Sequence, residues 1–404
     1  MSAEDDRVLI AGGGPTGMAA ALFLTAQGVP VTVLERGRGP HDDPRAATYH
    51  PPSLEMLEPS GVTADLHRRG IVARKWQYRD RREGLVAEFD LQLLEHDTRY
   101  PYRLQCEQHK LVAMMQQRVA ASPLAAIRHD CEVVEVRQHD GGVEVVVRDA
   151  AGAPSTLRGR WLVGADGGRS VVRKSQGIGF EGFTWPERFL VVTTTYDFEP
   201  LGFAYSNYTM DPVEWTATFK VPGDDDRGVW RCVFPTRPDE DEAALLDFAR
   251  AADRLAGFVP QSRTARVIHT NLYAVHQRVA TGYRRGRVLL AGDAAHVNNP
   301  LGGMGLNFGL HDAHSLAQRL GQVWRGEAPD ALLDQYDRQR RAVAEQYLQG
   351  QTIANKQTLE ERDPAKRAER QAEMRAQAAD PARARQFLRR TAMLEGLAAA
   401  AAIP

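Results

Sequence analysis

Four β-prone residues, Val8-Leu9-Ile10-Ala11, run into Gly12-Gly13-Gly14-Pro15-Thr16-Gly17 and continue as the apolar stretch MAAALFLTA. This order leaves the chain little choice. The short apolar run predicts a buried strand, the glycines a tight turn, and the residues after Pro15 an apolar-faced helix. A second run, VPVTVLER, predicts another strand, ending at Glu35. Strand, helix and strand connected in this way make a βαβ unit, which calls for a parallel sheet with helices covering its faces. Gly12, Gly14 and Gly17 have the G-x-G-x-x-G spacing. The first allows the tight turn, the second lets a pyrophosphate approach the backbone, and the third lets the helix pack closely on the strand. The helix start offers unpaired N–H groups to phosphate, and Glu35 stands where an acid binds a ribose hydroxyl. The stretch predicts dinucleotide binding and leaves the choice of dinucleotide open.

The remaining chain is long enough for a second domain, at 404 residues. Lys and Arg number 51 against 52 Asp and Glu, a net charge of -1, which argues against a nucleic-acid or anionic-membrane partner. The acidic start MSAEDDR lacks the order of a signal peptide, and no apolar run is long enough to span a membrane. Cys106, Cys131 and Cys232 are scattered, with no histidine at ligand spacing, so buried reduced thiols in a cytoplasmic protein without a metal are expected.

After Glu35 and Arg36 a polar, proline-rich segment carries Arg45 in a loop. KWQYRDRREGLVAEFDLQLL alternates charged with aromatic or aliphatic residues and predicts strands with one wet face. Leu111, Met114, Met115 and Val119 have helical spacing, which puts Gln108 near a helix start. Two strands joined at Asp140-Gly141-Gly142 follow. A third runs into Asp166-Gly167-Gly168, with Ser170 and Arg173 at the next helix start. Asp166 is read either as a ligand-binding acid at a strand's carboxyl end or as part of an ordinary helix cap. From Phe180 to about Val267 short β-branched and aromatic runs predict an inserted antiparallel sheet, followed within it by one helix over EDEAALLDFARAADRLAGF. A last apolar strand meets Gly292-Asp293, and a loop with Pro300 and several glycines leads into a helix beginning around Gly305 to Asn307. Asp363-Pro364 and Asp380-Pro381 predict two helix restarts in a charged helical tail, whose Arg and Glu residues read as a solvated face or an oligomer contact.

In this order GGGPTG with Glu35, GADGGRSVVR and AGDAAHVNNPLGGMGLN resemble the motifs of the flavoprotein monooxygenases of the para-hydroxybenzoate hydroxylase type, over roughly residues 7 to 345. The resemblance implies an α/β fold. A Rossmann-like FAD-binding domain would be built from residues 1–75, 101–178 and 267–345, a mainly antiparallel substrate domain from 76–100 and 179–266, and a C-terminal helical segment from 346–404. It implies that Gly12, Gly14, Pro15, Thr16, Gly17, Glu35 and Arg36 hold the ADP half of FAD, with Arg45 and Gln108 on the phosphates and ribityl chain. Asp166, supported by Arg173, would serve both FAD and the nicotinamide nucleotide. Gly292 and Asp293 would bind near the ribityl or pyrophosphate, and Pro300, Gly303, Gly305, Leu306 and Asn307 would flank the flavin ring. The chain has no W-x-W-x-I-P motif of flavin halogenases and only one glycine fingerprint, so NADPH or NADH would visit a groove as a transient co-substrate.

The activity implied is hydroxylation of a small aromatic molecule, phenol-like or polycyclic, by O2 through a flavin C4a-hydroperoxide. Epoxidation, Baeyer–Villiger chemistry, and oxidase or dehydrogenase activity without oxygen insertion are the alternatives. The substrate wall is expected from the inserted sheet, from Tyr196, Phe203, Tyr205, Tyr208, Trp215 and Thr218, with strand register deciding which face inward. His296 and Pro300 are further candidates, His276 a weaker one, and Arg231 a possible carboxylate clamp. No residue is singled out as acid or base, and the chain is expected to be a monomer or homodimer.

Overall fold

The computed structural model describes residues 6–39, 46–224 and 228–404. Its first layer is a sheet of five parallel strands in the order Val288–Leu290, Trp161–Gly164, Val8–Ala11, Val31–Leu34 and Ala125–Arg128, edged by the antiparallel Arg284–Arg285. Val8–Ala11 lies at the centre and is buried along its whole length. Helix Pro15–Ala26 is buried from Thr16 to Leu24, because it lies between this sheet and the long helix Met304–Trp324. A helix apolar nearly all round is stable only in such a sandwich.

The predicted hairpin forms between Glu132–His139 and Gly142–Arg148, and Pro154–Gly159 completes a small antiparallel sheet. A further short sheet joins Thr48–Tyr49 and Ile71–Ala73 to the central strand Arg103–Gln105.

The inserted sheet has eight strands: His296–Val297, Val267–Ala280, Phe180–Thr194, Val229–Pro235, Thr216–Val221, Ser206–Met210, Lys75–Asp80 and Gly84–Asp90. All pairings are antiparallel except that of Ser206–Met210 with Lys75–Asp80. Val267–Ala280, expected in the cofactor domain, pairs along Phe180–Thr194 instead, so the sheet extends past residue 266 and returns at His296–Val297. The two strands lose register between Thr184 and Arg188, where Pro186 cannot donate to the ladder.

Side chains alternate across this sheet. Leu190, Val192, Trp230, Cys232 and Phe234 form one core with helix Phe248–Phe258. Phe189, Val191, Tyr208, Trp215 and Val233 face the other way, with Trp76, Tyr78 and Leu301. The expected single helix before this point is two, Glu242–Leu246 and Phe248–Phe258. Asp247 breaks it by adopting an extended backbone and accepting a hydrogen bond from the Arg250 amide.

The tail is part of the molecule's core. Asp363 and Asp380 cap helices Pro364–Ala379 and Pro381–Thr391 through amides in each first turn. Phe387 stacks on Trp76 at 5.5 Å, and Arg385 and Arg389 both pair with the buried Asp97. The tail charges expected in solvent dock onto the sheet domain. All three cysteines are buried and free, and no described helix is long and apolar enough to cross a membrane.

Candidate flavin and substrate site

The glycine turn brings three demands together. Gly12 has φ +100°, and a Cβ there would collide with the carbonyl of Ala165, so the turn lies directly against the strand end that leads to Asp166. A Cβ on Gly17 would overlap the Gly12 carbonyl oxygen. At Gly14 it would meet nothing within 4 Å. Gly14 is also the N-cap of Pro15–Ala26 and supplies no side-chain cap, so the first-turn amides face open space. That combination of a bare helix end and free volume fits a pyrophosphate. Glu35 accepts from the amides of Gly13 at 2.5 Å and Gly37 at 2.7 Å, which fixes its carboxylate beside the turn. Arg36 is exposed next to it, and Arg45 lies outside the described residues.

The third motif packs onto the first. Gly292 has φ +61°, and Thr16 Oγ1 fills the space where its Cβ would be; the same hydroxyl blocks a Cβ at Gly309. Asp293 follows, exposed, at the end of the buried strand Val288–Leu290. Gly302 and Gly303, both with positive φ, turn the loop after Pro300 into helix Met304–Trp324, whose N-cap also has no side-chain cap. Asn307 holds this helix start: its Nδ2 donates to the carbonyls of Thr48 and Gly303, and its Oδ1 accepts from the His50 amide. Gly305 packs against Asn298, and Leu306 is buried in the first core. Gln108 opens helix Gln108–Ala120 and donates its amide to Ala46.

Asp166 has the capping role that its sequence context also allowed. It accepts from the Ser170 hydroxyl at 2.6 Å and from the amides of Val171 and Val172. Arg173 joins the second and third motifs by donating to the carbonyls of Gly168 and Ala294, with its guanidinium over Phe180.

The substrate candidates divide between the two sides of the inserted sheet. Tyr196, Phe203 and Tyr205 are corrected: they pack with Phe198 and Trp230 on the sheet face turned away from the Pro300 loop. Tyr205 also donates to Glu199. Tyr208 and Trp215 lie on the face shared with Leu301. His296 is corrected too, being fully buried and hydrogen-bonded to Asp312 at 2.7 Å, with Arg340 on that carboxylate's other oxygen at 2.6 Å. Burial raises the Asp312 carboxyl, but Arg340 and His296 outweigh it and hold the group ionised. His276 bonds Thr184 on the surface. Arg231 is buried near Glu107, Asp224 and Tyr49.

Around Leu301 the sequence reading missed several groups. Trp76, Tyr78, Phe89 and Tyr208 form a ring cluster with Phe387 from the tail. His50 donates Nε2–H to the Gly302 carbonyl at 2.8 Å; a carbonyl partner fixes that tautomer. Burial, then the charge of Arg103, push its imidazole down to about 3, so it stays neutral. Tyr208 was expected in the substrate wall; the aromatic residues at 76 and 78, two apart on a strand, were the signal for the rest of this cluster.

Fold and site define a dinucleotide-dependent oxidoreductase with an aromatic cluster beside its Pro300 loop. Residues 5–351 match the sequence profile of the FAD binding domain family. The para-nitrophenol 4-monooxygenase of Pseudomonas sp. (strain WBC-3) is 37% identical over 389 residues, 95% of this chain and 94% of the relative. The pentachlorophenol 4-monooxygenase of Sphingobium chlorophenolicum is 31% identical over 86% of this chain and 64% of its own length. The crystal structure of p-nitrophenol 4-monooxygenase from Pseudomonas putida DLL-E4 superposes with a TM-score of 0.91 at 35% identity, covering 97% of this chain and 98% of the other. Aklavinone-11 hydroxylase, solved with FAD and aklavinone, superposes with a TM-score of 0.77 at 28% identity, covering 89% and 70%. The chain belongs to this FAD-binding family and is an FAD-dependent aromatic monooxygenase.

Proposed function

We propose that this enzyme uses NADH or NADPH and O2 to hydroxylate a small, single-ring phenol. The observation that carries this reading is the aromatic cluster on the Leu301 side of the inserted sheet, formed by Trp76, Tyr78 and Tyr208 and packed against Phe387. Aromatic walls suit a planar aromatic guest, and the nitrophenol and pentachlorophenol monooxygenases among the relatives support a one-ring substrate.

When bound, FAD supplies the electron transfer from the nicotinamide nucleotide and the activation of O2. The chain's own residues provide position and electrostatics. Gly12, Gly14, Pro15, Thr16 and Gly17 would cradle the pyrophosphate, Glu35 would take the ribose, and Arg36 would add positive charge nearby. Gln108, Gly292 and Asp293 would line the path of the ribityl chain, and Asp166 would belong to the motif that serves both FAD and the nicotinamide nucleotide. Pro300, Gly303, Gly305, Leu306 and Asn307 flank the ring. The uncapped start of Met304–Trp324 stabilises negative charge there by about 0.3–1 kcal/mol at a surface, and up to about 2 kcal/mol when partly buried. The tail and the sheet exclude water from the reacting atoms. Three buried free thiols suit a reducing, cytoplasmic setting.

The test is isotopic. A panel of single-ring and polycyclic phenols is assayed with NAD(P)H under labelled O2. The expected outcome is phenol-stimulated NAD(P)H consumption with one labelled oxygen atom in a single-ring product. Consumption without incorporation, across the panel and under coupled conditions, overturns the reading.

A further inference from the structure

Arg103 is 3% exposed and has no carboxylate partner among the described residues. Its guanidinium lies over the Trp76 ring at 4.2 Å, and one terminal nitrogen reaches Ser206 Oγ only at 3.4 Å. The nearest ionisable neighbours are Tyr78, Tyr208 and His50. A buried cation with no counter-charge is expensive to keep, so Arg103 is suited to pair with an anion that the chain itself does not supply. The surrounding polar atoms agree. Arg103 Nε, Gln105 Nε2 and Trp76 Nε1 are buried N–H donors with no acceptor among the described residues. Arg103 and Gln105 share one face of the strand Arg103–Gln105, two residues apart. The His50 ring that meets the Gly302 carbonyl leaves Nδ1 buried and unpartnered as well. Such orphans are rare in folded proteins, and several together at one place mark a ligand.

We propose that Arg103 is the residue that binds the substrate's charge, and that the substrate is an acidic phenol held as its phenolate. The phenolate oxygen takes the Nε side of the guanidinium, at the edge of the Trp76, Tyr78 and Tyr208 cluster. This rests on the aromatic-hydroxylase reading above and narrows it. It also separates Arg103 from Arg231, which has Glu107 and Asp224 close by. Burial pushes Tyr78 and Tyr208 up, the latter to about 12, and His50 lies near 3. Among the described residues, His50 therefore stays neutral and Tyr78 and Tyr208 stay protonated near neutral pH, where an acidic phenol ionises.

The experiment measures equilibrium binding to the oxidised, FAD-loaded enzyme without reductant, so no turnover is needed. The probes are 4-nitrophenol, its methyl ether and benzoate. The expected result is that 4-nitrophenol takes on its phenolate spectrum when bound, at a pH where the free compound is largely neutral. Arg103→Gln then weakens the phenol at least about 30-fold, or 2 kcal/mol, changes the ether less than about 3-fold, and keeps full FAD content; Arg103→Lys recovers part of the loss. Binding of the neutral phenol by wild type, or equal losses for phenol and ether, overturns the proposal, and the wild-type spectrum decides it even if the variants fold poorly. Benzoate binding more tightly than the phenol, with the same dependence on Arg103, overturns phenolate in favour of carboxylate. Failure of both phenol and ether to bind wild type overturns the hydroxylase reading itself along with this one.

Discussion

Gly14 and Gly17 stand three residues apart and respond oppositely to a methyl group. At Gly14 φ is -70° and a Cβ meets no protein atom, so Gly14→Ala keeps stability within about 0.5 kcal/mol. It does, however, intrude where the pyrophosphate lies, and FAD affinity should fall at least about tenfold by flavin fluorescence titration. Gly17→Ala drives a Cβ into the Gly12 carbonyl and should destabilise the apoprotein by at least about 2 kcal/mol in urea. Equal effects of the two changes would refute this division of labour. His50 makes the residue-scale pH prediction. Its folded pKa is depressed to about 3 from an ordinary 6.5, so the unfolded chain binds the proton first as pH falls. Stability is at its full value above about pH 6.5 and declines by roughly 1.4 kcal/mol per pH unit below it. His50→Gln, which retains a donor for the Gly302 carbonyl, should flatten the slope of unfolding free energy between pH 6.5 and 4.5; an unchanged slope would contradict the assignment.

At the scale of elements, the tail and the Pro300 loop are tied together by amides. Asn355 Nδ2 donates to the Leu301 carbonyl at 3.1 Å, and Asn299 Nδ2 to the Thr352 carbonyl at 3.0 Å. Gln277 from the inserted sheet bonds both Thr352 and Asn299. Lys356, nearly buried, pairs with Glu187 and Glu360 and lies over Trp185, at the register break in the sheet. Helix Gly350–Leu359 is thus the brace of the loop proposed to flank the flavin ring. Asn355→Ala leaves the Leu301 carbonyl unsatisfied and should destabilise by about 1–3 kcal/mol. Because it loosens the loop, KM for the phenol should rise while FAD stays bound; a loss of stability with unchanged KM would make the brace structural alone. The same helix supplies Leu359 to the core around the aromatic cluster, and Pro381–Thr391 supplies Phe387 and Leu388.

For the whole molecule, the two sheets are not separable bodies. Strand Val267–Ala280 belongs to the inserted sheet, yet the chain continues from it straight into the parallel sheet at Val288–Leu290. The tail then returns to the inserted sheet. Calorimetry of the holoenzyme should show one cooperative transition. FAD at about 100 times its Kd should add about 2.7 kcal/mol to stability and raise the Tm accordingly. Two transitions, only one of them sensitive to FAD, would show that the domains unfold independently.

From residues alone the cofactor side was legible, because its constraints are local. Gly12, Gly14 and Gly17 act through backbone sterics within one turn, Asp363 and Asp380 cap helices within three residues, and the parallel strands are short apolar runs. The substrate side was not, because it depends on register and on partners far apart in sequence. Tyr196 and Tyr205 lie in the connection between Phe180–Thr194 and Ser206–Met210, which folds them toward Trp230, while pairing of Ser206–Met210 leaves Tyr208 toward Leu301. Asp312 decided that His296 belongs to the interior. Arg103, one more basic residue on a charged stretch of sequence, became a buried cation without a carboxylate partner among the described residues only when Trp76, Tyr78, Tyr208 and Ser206 closed around it. A charge declares its role through what surrounds it, and tertiary contact alone supplies that.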